Sequence, residues 1–209
     1  MNSATFFRWG GYSAFAFVGL FTVSIAAYWV TGGLDFQAWV PLFITLVCFW
    51  FVAAMAVYEY LKAEQYPIAR IGLGFAILSI VILLLEAIVW GADRMVLRSA
   101  EPVAQPELTE LMALFNSLHS AVLWTIGVWY ALWGVALLRM AGNARLAGAA
   151  MIGVAGAHVV DYLLLRLDVT GRFVEIWHLV GGQGLNIVAY AVLGAVLLKE
   201  SQSDAGRVE

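Results

Sequence analysis

Six apolar runs, each long enough to cross a bilayer, divide this 209-residue chain almost from end to end. They cover about 10–31, 38–60, 67–90, 111–138, 144–166 and 175–198. A transmembrane helix needs about 20 apolar residues, so six spans with short connections use up nearly the whole chain. The reading is an all-α polytopic membrane protein: one six-helix domain over 1–200, then a tail over 201–209. Composition excludes a water-soluble globule, because 12% charged and 63% hydrophobic residues lie far from the roughly one-quarter charged content of soluble domains. A net charge of −3 offers no basic surface for nucleic acid. The expected partners are therefore the lipid bilayer and a small-molecule or lipid-soluble ligand, with a homo-oligomer or a larger membrane complex as candidate assemblies. Cys48 is the single cysteine and cannot form an intramolecular disulfide.

The breaks between runs have chemical causes. Thr31-Gly32-Gly33-Leu34-Asp35 reads as a turn, Glu64-Gln65-Tyr66-Pro67 pauses before a helix that Pro67 can start, and Ala141-Gly142-Asn143 makes a tight link. Residues 92–110, holding Asp93, Arg94, Arg98, Glu101, Pro102, Pro106, Glu107 and Glu110, read as a longer polar loop. The first run is too long for the apolar part of a signal peptide. Basic residues set orientation. Arg8, Lys62, Arg70, Arg139, Arg145, Lys199 and Arg207 fall on one side and Arg94, Arg98, Arg166 and Arg172 on the other, seven against four. Both termini are expected to be cytoplasmic. Trp29, Trp39, Trp90 and Trp177 then stand at outer span ends, where indoles prefer to sit.

Ionised groups at membrane depth are unfavourable by about 2.5–3.5 kcal/mol each, so those that remain are functional candidates. They are Glu86 in the third span, His119 in the fourth, His158 and Asp161 in the fifth, and His178 in the sixth, joined by polar Asn116, Gln183 and Asn186. Counting from the span ends puts all five ionisable groups in the outer third of the membrane. Asn116, His119 and Ser120 stand at i, i+3 and i+4, as do His158, Asp161 and Tyr162, while His178, Gly182, Asn186 and Tyr190 recur every four residues. Each set is one stripe on a helix. A cavity lined by spans three to six would gather them.

Several chemistries suit that set. His119, His158 and His178, with Glu86 or Asp161 as fourth ligand or general base, could hold a Zn, Fe or Cu ion with one position open for substrate. Two of the histidines could instead ligate a b-type haem, with Asn116, Gly182 and Asn186 lining the cofactor and glycines giving it room. Without metal, Glu86 or Asp161 paired with histidine serves ligand binding or proton-coupled transport. The same side chains could equally snorkel to water, or fasten helices within a structural subunit. Trp124, Trp129 and Trp133 on the fourth helix read as lipid or helix contacts rather than an aromatic lining.

Leu118-His119, Leu137-Leu138-Arg139 and Arg145-Leu146-Ala147-Gly148, with the turn between the last two, resemble a group of bacterial six-helix membrane proteins of unknown function. The resemblance implies a bacterial cytoplasmic-membrane protein and carries over no site residue.

Overall fold

The computed structural model describes residues 3–31, 36–98, 105–167 and 169–205, and these are helical almost throughout, with no strand. The elements are α1 (Ser3–Thr31), α2 (Phe36–Arg98), α3 (Gln105–Leu138), α4 (Asn143–Arg166), a short α5 (Arg172–Trp177), a π-helical segment (His178–Gly184) and α6 (Leu185–Ala205). Among the described residues, five stretches are long and apolar enough to cross a membrane: Ser3–Ala27, Pro41–Val89, Thr109–Leu138, Asn143–Arg166 and Arg172–Ser203. They are compatible with a multi-pass integral membrane protein.

The helices run further than the apolar pattern. The loop read over 92–110 is helical through Arg98 and again from Gln105, and the tail read from 201 stays helical to Ala205. Polar residues at helix ends can continue the backbone ladder without the long apolar run that marks a span. Residues 32–35, 99–104, 168 and 206–209, and the side chains of Trp29, Trp39, Trp90, Asp93, Arg94, Arg98 and Glu175, lie outside the described residues, as do the turn and interface readings made on them.

The second and third apolar runs form the 63-residue α2, whose backbone leaves helical geometry at Gln65 (φ −128°, ψ 37°). Pro67 follows two residues on. Its ring lacks an N–H and crowds the carbonyl four residues back, which breaks the ladder there. The two limbs of α2 then reach the same part of α3. The Trp50 ring lies 5.5 Å from that of Trp129, while Trp133 Nε1 donates to the Ala69 carbonyl at 3.1 Å. Trp129 and Trp133 are one turn apart, about 6 Å, whereas Trp50 and Ala69 would stand about 28 Å apart on a straight helix. The limbs therefore fold back on each other at Gln65.

Around the bundle α1 packs on α2, α2 on α3, α3 on α4 and α4 on α6, and α6 closes the ring against α1. The last contact is made in part by Phe17 and Tyr190, ring centroids 4.8 Å apart. The link between α3 and α4 is as tight as its glycine suggested, since Gly142 takes φ +63°, a conformation that L side chains rarely adopt. The same two helices approach closely at Gly148, where a Cβ would stand 2.7 Å from both the Gly134 carbonyl oxygen and the Leu138 nitrogen. Trp129 and Trp133 are buried and contact other helices, as read, while Trp124 is exposed beside Tyr162 at 6.0 Å.

Candidate functional site

The polar stripes resolve into two separate groups. The first joins α2 to α3: His119 Nδ1 and Glu86 Oε1 are 2.8 Å apart, and Phe115 stacks on the imidazole at 5.9 Å with rings 8° from parallel. The shared level expected for these two residues is therefore observed. Glu86 is mostly buried, with its second carboxylate oxygen lacking a hydrogen-bond partner among the described residues. Asn116, one turn earlier, is exposed and accepts the Ser120 hydroxyl through its backbone carbonyl at 2.8 Å. Its side chain does not join the pair in any described contact.

The second group lies inside the bundle, between α3, α4 and the sixth apolar stretch. His158 and Asp161, at i and i+3 on α4, are each only 7% exposed. The helix carrying them packs on both the π-helical segment and α6. In that segment backbone amides bond five residues back instead of four, which widens the turn; such turns concentrate at functional sites. Asn186 lies two residues beyond its end. The Asn186 Nδ2 donates to the Gly182 carbonyl at 2.9 Å, and its Oδ1 accepts the Tyr130 hydroxyl at 2.5 Å. The Tyr130 ring in turn stands 6.3 Å from the His158 ring. A hydrogen-bonded thread thus runs from α3 into the wide turn beside a buried imidazole.

These groups do not share one level. His158 Cβ lies 3.8 Å from where a Cβ on Gly127 would stand, and its ring neighbours Tyr130. Those positions follow His119 by eight and eleven residues, about 12 and 16 Å along the helix. Asn186 sits fourteen residues into the 32-residue stretch Arg172–Ser203, near its middle. The inner group thus extends deeper than the outer-third layer that counting from span ends suggested. Among the described residues no three His, Cys, Asp or Glu side chains gather as a metal-binding group. The side chain of His178 lies outside the described residues, although its backbone opens the wide turn.

Tyr130 belongs to this site and was not singled out from the sequence. It follows His119 by eleven residues, three full helical turns, so extending the Asn116–His119–Ser120 stripe inward would have reached it. Around it the core is strongly aromatic. The Trp129 ring lies 4.1 Å from that of Tyr130 and 5.0 Å from that of Trp133, and the Tyr130 and Tyr190 rings meet edge to face at 6.3 Å. No family model, no curated protein and no solved structure matches this chain.

Proposed function

We propose that the protein is a six-span integral membrane protein of the bacterial cytoplasmic membrane, both termini inside, that binds a small, hydrogen-bonding, lipid-soluble ligand within the bundle. The fold-back at Gln65 supports counting α2 as two spans, and the distribution of basic residues supports the orientation. One observation carries the binding reading: His158 is buried beside the Tyr130–Asn186–Gly182 thread at a widened helical turn, and Asp161, one turn further on the same helix, is equally buried. Burying a carboxylate and an imidazole in an apolar bundle is unfavourable, so their retention argues for use. Asp161 and His158 would orient the ligand by accepting and donating hydrogen bonds, and Tyr130 and Asn186 would fix its far side. His119 and Glu86, two to three turns away, hold α2 and α3 together in this reading instead of completing a ligand set.

Native mass spectrometry of the purified protein tests it. A bound mass present in the wild type, lost in Asp161→Asn and in Tyr130→Phe and kept in Glu86→Gln, is the expected result. A protein carrying no added mass, or the same mass in all four, overturns the site. A lost mass that corresponds to a transition-metal ion or haem would keep the site and assign its ligand to the metal class, with His158 and Asp161 among the ligating groups.

A further inference from the structure

Three hydrogen-bond donors in the aromatic core have no acceptor among the described residues: Trp50 Nε1, Trp129 Nε1 and the Tyr190 hydroxyl. All three residues are at least nine-tenths buried, at 6%, 1% and 1% exposure. They come from three helices, α2, α3 and α6, so no single local distortion produces them. Their rings are close neighbours: Tyr190 meets Tyr130 edge to face at 6.3 Å, and Trp50 and Tyr190 both lie against Phe17, at 6.4 and 4.8 Å. Trp129 lies against both neighbours, its ring 5.5 Å from Trp50 and 4.1 Å from Tyr130.

Buried donors of this kind are rare in folded proteins, because each has given up its bond to water without a replacement. The neighbouring Trp133 shows how the same core satisfies an indole when protein groups suffice: it is fully buried and donates to the Ala69 carbonyl. Buried hydroxyl and indole donors gathered in one core without a protein acceptor are groups that a bridging water completes. Water also matches these groups in hydrogen-bonding capacity, since it accepts two hydrogen bonds and donates two, and internal waters characteristically make about three bonds to groups that are otherwise unsatisfied.

We propose that the centre of the bundle holds an internal hydration site, in which bound water accepts from Trp50 Nε1 and Tyr190 and bonds the Tyr130 hydroxyl. The water extends the Tyr130–Asn186–Gly182 thread across to α2, so that a continuous polar path crosses the bundle. This site uses donors that the ligand reading leaves idle, and it stands whether or not a ligand binds beside Asp161.

Pulsed hydroxyl-radical footprinting of the purified full chain tests the proposal, because radicals formed from bound water mark buried side chains that touch it. Trp50 is expected to be oxidised at least about fivefold faster than the fully buried, internally bonded Trp133. In Tyr190→Phe, which keeps the ring and removes one donor, oxidation at Trp50 should fall by about half or more. Oxidation of wild-type Trp50 no faster than that of Trp133 overturns the proposal, and so does a Trp50 rate unchanged by Tyr190→Phe. Neither readout depends on a bound mass, so this outcome and that of the ligand test are separate.

Discussion

His119 and Glu86 illustrate how a polar pair between apolar helices behaves as a unit. One oxygen of Glu86 has the imidazole and the other has no partner among the described residues, so removing the imidazole alone strands the whole carboxyl. His119→Leu should therefore cost about 2 kcal/mol, while Glu86→Leu/His119→Leu should return to within about 1 kcal/mol of wild type. Equilibrium unfolding in detergent by denaturant titration measures both, and simple additivity of the single substitutions would show that the pair is not coupled. At this scale the sequence was informative where helical spacing alone decides the outcome. His158 and Asp161 were readable as one face from their i, i+3 separation, and Glu86 and His119 as one level from their distance to the span ends. Tyr130 escaped because a tyrosine on a helix rich in tryptophan looks like packing. Only the position of Asn186, 56 residues away and across the bundle, makes its hydroxyl part of a site.

Between elements, the contact that tolerates least is the one where α3 and α4 meet without side chains. At Gly148 an added Cβ would face backbone atoms of Gly134 and Leu138, and backbone atoms of a rigid helix cannot swing aside as the end of a side chain can. Gly148→Ala should therefore force the helices apart and destabilise by about 1–3 kcal/mol. Gly156→Ala on the same helix, with nothing within 4 Å of the new Cβ, should stay within about 0.5 kcal/mol. Thermal unfolding in one detergent compares the two, and equal losses would mean that helix propensity rather than close approach governs both. The sequence showed that glycines were abundant but could not say which of them touch, since that depends on the order of helices around the ring. The π-helical segment was equally hidden. Its glycines at 181, 182 and 184 were visible, but a shift from four- to five-residue hydrogen bonding leaves no periodic trace in hydrophobicity.

For the molecule as a whole, the count of spans decides which ends share a side. If Gln65 marks a turn at the inner surface, a cysteine placed at Glu64 in a Cys48→Ala background should react with a membrane-impermeant maleimide only after cells are opened. Cysteines at Asn143 and Ser203 should behave in the same way, and one at Gly171 should react in intact cells. Reaction of Glu64→Cys in intact cells would break the six-span topology. Run length made the membrane-spanning character of the helices legible in the sequence, because it needs no knowledge of neighbours. Ring closure was not encoded so plainly. It rests on α1 meeting α6 through residues such as Phe17 and Tyr190, which lie 173 positions apart. Contacts of such sequence separation form late, after the intervening chain has found its place. During synthesis the face of α1 that meets α6 has no partner until α6 itself has been made, and Tyr130, His158 and Asp161 wait with it for Asn186. The polar centre is thus the last part of the molecule to be assembled, and the sixth apolar run is the piece that finishes it.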